Sequence, residues 1–285
     1  MTAYVFDNRR CELGEGALWH PELKQLFWFD ILNKMLMTRQ GDVTRRWQFD
    51  ECVSAAGWVD ADTLIVASEV ALSRFSLSTS REDVLVPLEA DRPETRSNDG
   101  RADRQGGFWI GTMGKAAEPG MGTIYRYYRG ELRVVVEGIT IPNGICFSED
   151  GTRAFYACSP SRKIFSVSLD SDGWPKGEAQ VFVDLTRDDL IPDGAVIDAA
   201  GLLWSAHWGA SKVSGYDAEG ARVADFAIPA KHCTCPAFGG PNLTTLYCTS
   251  ALEALDPEEA ARSENGMTFA VETEHRGLPE PRVVL

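Results

Sequence analysis

The chain has 285 residues, with 28 Lys and Arg against 42 Asp and Glu, a formal charge of −14. That sign argues against nucleic acid, itself a polyanion, as a partner. Hydrophobic residues at 44% and charged residues at 25% are ordinary for a globular chain and exclude disorder as its default state. In chain order, Tyr4-Val-Phe6 opens as a short strand, and Gly16 to His20 leads through a turn into Leu26-Phe-Trp-Phe. Leu64-Ile-Val-Ala and Phe108-Trp-Ile-Gly follow, the latter with a partner strand from Thr123. Gly144-Ile-Cys-Phe turns at Ser148-Glu-Asp-Gly into Ala154-Phe-Tyr-Ala, with a partner from Lys163. Gly194-Ala-Val-Ile, Leu203-Trp-Ser-Ala and a strand from Lys212 repeat the pattern. Leu246-Tyr-Cys-Thr comes last, before one or two helical turns within 252–262 and a strand from Met267.

The six apolar runs start at positions 26, 64, 108, 154, 203 and 246, so their separations lie between 38 and 49 residues. A four-stranded propeller blade takes about 40–50 residues, and six of them use the whole chain. The expected fold is therefore all-β: a six-bladed β-propeller of four-stranded antiparallel blades with a metal site in its central channel, one domain over residues 1–285. Tyr4 to Phe6 is expected to complete the last blade, because closure hides sheet edges. A TIM barrel is excluded, since helices between the strands are missing.

The repeats align more than apolar side chains. Ten or eleven positions before the runs stand Glu15, Asn98, Asn143 and Asp193, with Ser54 and Cys235 in the other two repeats. Equivalent positions at the head of an innermost strand face the channel on one rim, so these side chains should converge. Two carboxylates and two amides, without imidazole or thiolate, suit a hard divalent cation. Singly, each would be an ordinary turn residue. The odd count of seven cysteines makes no disulfide framework, and Cys233-Thr-Cys235 is expected to be core rather than a zinc site. No run of about 18 apolar residues and no signal-peptide core occurs, so a cytoplasmic protein without membrane contact is expected.

With these residues in hand, the sequence resembles the SMP-30/gluconolactonase/luciferin-regenerating family from end to end. The likeness rests on Leu13-Gly-Glu-Gly-Ala-Leu-Trp19, Arg96-Ser-Asn-Asp-Gly100, Trp109-Ile-Gly-Thr-Met113, Ile141-Pro-Asn-Gly144, Ile191-Pro-Asp-Gly194, His207-Trp-Gly209 and Ala237-Phe-Gly-Gly240. The resemblance implies a six-bladed propeller that hydrolyses sugar lactones, with Glu15, Asn143 and Asp193 ligating one divalent cation and Arg96 and Asn98 contacting the substrate. The cation is left open among calcium, zinc, manganese, magnesium and iron(II). Several relatives carry an acid directly after Gly-Thr-Met; here Gly114-Lys-Ala-Ala precedes Glu118, which puts Lys115 or Glu118 at that place.

The expected reaction is hydrolysis of an aldonolactone, with Asp193 first and Glu15 second as the carboxylate that accepts the water proton. Activation of water by the cation alone is the competing route. The loop after each apolar run returns to the active rim, which makes His207 and Trp208 candidate substrate contacts. The acidic loop with Glu253, Asp256, Glu258 and Glu259 is expected to be solvated rim, and His20, His232 and His275 to be surface residues. No Gly-x-Ser-x-Gly elbow is present. The alternatives are a metal-dependent esterase of aryl or organophosphate esters, and a non-catalytic calcium-binding or scaffolding propeller. The expected partner is a small sugar lactone, and the expected state a monomer or small homo-oligomer.

Overall fold

The computed structural model describes residues 2–285. It is a six-bladed β-propeller, and every blade is a four-stranded antiparallel sheet. Five blades are built from consecutive strands. The sixth takes Cys233–Gly239, Thr245–Ser250 and Thr268–Glu272 from the C-terminal end of the chain and Tyr4–Asp7 from the N-terminal end. Closure thus falls where the repeat count put it. A short helix, Pro257–Arg262, lies in the loop of the sixth blade, begun by Asp256 accepting from the Glu258 amide at 2.9 Å.

Position in the blade explains the residue types. The second strands, such as Gln25–Asp30, are covered by neighbouring blades on both faces, so Leu26, Phe27, Trp28 and Phe29 are all at 0% exposure and read as one apolar run. Outermost strands such as Val43–Gln48 carry arginines and glutamine and are largely exposed. Trp28, Trp109 and Trp204 are fully buried between blades, each contributing on the order of 4 kcal/mol of apolar burial before entropy is counted. Two of them are also polar anchors. Trp109 Nε1 donates to Asp103 Oδ2 at 3.0 Å and Trp204 Nε1 to Asp198 Oδ2 at 2.9 Å, while the other oxygen of each aspartate accepts two backbone amides of its turn.

All six innermost strands lose pairing register at the same level. The break falls between Glu15 and Leu18, Val53 and Ala55, Ser97 and Gly100, Asn143 and Cys146, Pro192 and Ala195, and Cys233 and Pro236. A β-bulge re-aims the side chains beside it, and one per blade makes a ring. The strands also approach one another closely here. A Cβ on Gly16 would lie 2.2 Å from the Ser54 carbonyl oxygen, and one on Gly194 would lie 2.8 Å from Cys235 Cα. Gly16 has φ +58°, a conformation that favours glycine.

After its last strand the chain crosses the opposite rim as a strap. Gly277 N donates to Leu243 O at 2.7 Å, Ala199 N to Arg276 O at 2.7 Å, Val283 N to Trp58 O at 2.9 Å and Val284 N to Gly106 O at 2.8 Å. These partners belong to blades 6, 5, 2 and 3, and Val283 is buried at 1% exposure. The strap therefore ties four blades together at the end of the channel away from the aligned residues.

Gly16→Ala meets backbone rather than a movable side chain, and at an unfavourable φ. It should cost about 2–4 kcal/mol, lowering the Tm by about 5–10 °C in a thermal melt, whereas Gly41→Ala, at a similar φ of +57° but with open space around it, should cost only the backbone strain of about 1–2 kcal/mol.

Candidate metal centre

Glu15, Asn98, Asn143 and Asp193 come together at the bulge ring, with exposures of 6, 7, 5 and 5%. The two asparagines are coupled, since Asn98 Nδ2 donates to Asn143 Oδ1 at 2.9 Å and to the Pro142 carbonyl at 3.0 Å. Asn143 Nδ2 donates to Ser159 Oγ at 2.9 Å, and Ser159 Oγ donates to the Pro192 carbonyl at 2.7 Å. This chain of bonds orients both amides, so that Asn143 keeps its oxygen at the Asn98 side of the channel. On the other side, Ser54 Oγ donates to Ser97 Oγ at 2.8 Å.

The carboxylates are less well provided for. Glu15 accepts only the Gly16 amide, at 3.1 Å, and among the described residues neither Glu15 nor Asp193 enters an ion pair. Burial first, then the neighbouring Asp99 carboxylate, pushes Glu15 up to about 8. Burial, then the charges of Glu15 and Asp99, raise Asp193 well above the usual carboxylate range. Arg96 offsets this for Glu15 only in part, and two buried acids outside any ion pair suit a cation. Among the described residues no three His, Cys, Asp or Glu side chains gather as a ligand group, so Asp99 is near the pair without joining it. Its Oδ2 instead accepts the Ile145 amide at 2.7 Å. The residues present fit a divalent cation held by Glu15, Asp193 and the Asn143 amide oxygen.

Arg96 is buried at 7% exposure beside this set. Its Nη1 donates to the Asn98 Oδ1 at 2.8 Å and to the Ser97 carbonyl at 2.9 Å. Its Nε and Nη2 take no protein partner among the described residues, which leaves donors for a ligand. Burial lowers its pKa, opposed by the carboxylates of Glu253, Glu15 and Glu69.

Other expectations are corrected. His207 is at 0% exposure inside the fifth blade, paired through Nε2 with Tyr216 Oη at 3.0 Å, and burial followed by Lys212 pushes it down to about 4. It is a core residue, which removes it from the substrate contacts. Trp208 is half-buried and stacks on His232, with ring centroids 4.0 Å apart and planes 14° apart. His232 is buried, not on the surface, and its Nδ1 donates to the Glu253 carbonyl at 2.9 Å. Glu253 is partly buried and faces Arg96, so it is not solvated rim. His20 is also buried, and its Nδ1 accepts the Leu23 amide at 3.2 Å.

Lys115 Nζ pairs with Glu69 Oε2 at 2.5 Å, bridging the third blade to the second. Glu118 lies back over its own loop, where Oε2 accepts the Ala116 amide at 3.1 Å. Asp99 and Ser159 escaped the sequence reading, and Glu253 entered it only as solvated rim. Counting ten back from Phe108 selects Asn98 and passes over its neighbour, while the other two lie in loops without a repeat register.

The structure thus defines a class: a closed six-bladed propeller whose innermost strands bring two buried carboxylates and two amides together on one rim. The family model described as SMP-30/Gluconolactonase/LRE-like region matches residues 13–252. The chain belongs to that family. It is 32% identical over 292 residues to an L-arabinolactonase of Azospirillum brasilense, covering 98% of this chain and 95% of that protein. To a pentonolactonase of Haloferax volcanii it is 30% identical over 291 residues, covering 99% and 98%. The crystal structure of the calcium-binding protein regucalcin from Agrobacterium tumefaciens superposes with a TM-score of 0.96 at 36% identity, covering 99% of this chain and 97% of that one.

The raised Glu15 carboxyl gives the metal-free protein a distinctive pH dependence. The unfolded chain gives up this proton near the ordinary value of 4.5 and the folded chain only near 8, so folding stability falls as pH rises through that window. Thermal melts in EDTA should show Tm declining from about pH 5 to about pH 8. A saturating divalent cation should remove the decline, because ligated carboxylates are already ionised.

Proposed function

We propose that this protein is a metal-dependent hydrolase of sugar lactones, opening a cyclic aldonic ester to the free acid. The observation that carries the reading is a juxtaposition on one rim: two buried carboxylates that enter no ion pair among the described residues and, beside them, a buried guanidinium with unused donors. A scaffold has no use for such donors, whereas a polyhydroxylated ring needs them. The lactonase names of relatives that align over nearly the full chain support the same reading.

A divalent cation bound to Glu15, Asn143 and Asp193 supplies Lewis-acid polarisation of the lactone carbonyl. The chain's own residues do the rest. Asp193 accepts the proton of the attacking water and returns it to the ring oxygen as the ester C–O bond breaks, and the product acid then ionises. Arg96 Nε and Nη2 donate to oxygens of the bound ring, in a fork that Nη1 holds rigid against Asn98. Asn98 orients Asn143 through its own amide, so substrate side and cation side are set by one hydrogen bond. Trp208, backed by His232, offers a flat face to the ring. Lys115, tied to Glu69, stands at the edge and bounds the site between the second and third blades.

The strap closes the far end of the channel, so substrate enters and product leaves by the same rim. Calcium is the first metal to test, given the calcium-binding description of the Agrobacterium structure.

Acid release from glucono-, galactono-, xylono- and arabinono-lactones, followed with a pH indicator, should be accelerated by the protein, abolished by EDTA and restored by a divalent cation. Asp193→Asn should lower kcat by about 10²-fold or more in protein that still melts cooperatively. Arg96→Met should act mainly on KM, raising it about tenfold or more. Binding of calcium without acceleration of any lactone would leave a calcium-binding propeller as the better reading.

A further inference from the structure

The channel beneath the site holds a second set of charges. Arg101, two residues beyond Asp99 on the same innermost strand, is 7% exposed. Its Nη2 donates to the Pro236 carbonyl of the sixth blade at 3.4 Å, and Cys146 of the fourth lines the same space. Its Nη1 is paired with Glu280 Oε1. Glu280 belongs to the strap and enters the channel from the far rim, at 9% exposure. Its neighbourhood is held on several sides. Trp58 Nε1 donates to the Glu280 carbonyl at 2.8 Å, Arg104 Nη1 to the Pro279 carbonyl at 2.8 Å and Arg282 Nε to the Val59 carbonyl at 2.6 Å.

An ion pair is a poor choice if the strap only had to close the channel. Buried charges are costly to desolvate, and apolar replacements are often as stable or more so. The strap already has apolar anchors in Val283 and the half-buried Leu278. The charges make sense together with those above them. Within the channel stand the carboxylates of Glu15, Asp99, Asp193 and Glu280 and the guanidiniums of Arg96 and Arg101, all buried. This set is short by two positive charges, and one divalent cation makes it neutral.

We propose that Glu280 is a positioning residue for the metal site: from the C-terminal strap it holds Arg101 under Asp99 and balances the charge in which Glu15, Asn143 and Asp193 take a divalent cation. The inference rests on the metal reading given above. Without the Glu280 charge, Arg101 keeps only the Asp99 carboxylate as an acidic neighbour, and more of its positive field opposes the incoming cation. Removing both charges restores the balance of the set.

The test is isothermal titration of the EDTA-stripped full chain with Ca²⁺ and with Mn²⁺. Glu280→Gln should weaken binding on the order of tenfold. The double variant Arg101→Gln with Glu280→Gln should return it to within about threefold of the parent, and Glu280→Asp should recover part of the loss. At saturating metal, kcat of Glu280→Gln should approach that of the parent. A pair that only stabilises the fold predicts parental affinity in any variant that is folded at the temperature of the titration. Unchanged affinity in Glu280→Gln, or a double variant no better than the single one, overturns the proposal. If Glu280→Gln does not fold, the double variant decides: a folded protein of parental affinity supports the proposal, and one weakened tenfold overturns it. A parent chain that binds neither cation refutes the metal reading itself, an outcome distinct from the others.

Discussion

The structure depends on the crowding of six innermost strands around one axis. At the level of the bulges the blades touch backbone to backbone, which is why glycine follows Glu15, Asn143 and Asp193 directly and Asn98 after one residue. The same crowding removes water from the side chains that the bulges turn inward. Carboxylates placed there are raised by burial before any neighbour acts on them. The ring thus creates at once the convergence of these polar side chains and the electrostatic cost of burying their charges. A protein of this shape cannot have one without the other.

That cost is carried by the rest of the fold. Aromatic and aliphatic side chains fill the gaps between blades, from the Leu26 to Phe29 run to the stack of Trp204 on Phe226, and none of them needs the site in order to pack. The closure of the sixth blade by the N-terminal strand and the strap across the far rim join distant parts of the chain over the ring. A destabilising cluster at the axis is therefore held in place from the outside. The rim that carries the site is shaped by side-chain contacts between loops, such as Lys115 with Glu69 and Trp208 with His232, and the opposite rim by backbone bonds of the strap.

The parts legible in the sequence share one physical basis, which is repetition. Six apolar runs at blade spacing report the fold, and residues in register with them report the ring, because equivalent strand positions must face the same way. Glu15, Asn143 and Asp193 were legible for that reason. His207 was misread because its register places it on the rim strand but says nothing about which face its ring takes, and it turns toward Tyr216. Asp99 was hidden by Asn98 beside it, since the bulge presents both residues where a regular strand would present one. Glu253 and His232 were hidden in loops, and Glu280 in a tail that repeats nothing. Their roles come from contacts across more than twenty residues of chain or more than a hundred, which no local pattern records.

The coupling of Asn98 to Asn143 shows how the site can be both specific and sparse. A neutral amide has two donors and one acceptor group, and here each bond commits the next. Ser159 takes a donor of Asn143, the Asn143 oxygen takes a donor of Asn98, and the Asn98 oxygen takes a donor of Arg96. The direction of the chain admits no flipped amide without stranding a buried group, at about 1–3 kcal/mol each. Arg96 is thereby aimed by the same series of bonds that aims the amide oxygen of Asn143. One rigid line of side chains thus runs from the Asn143 amide to the free donors of Arg96, and a substitution anywhere along it would disturb both ends.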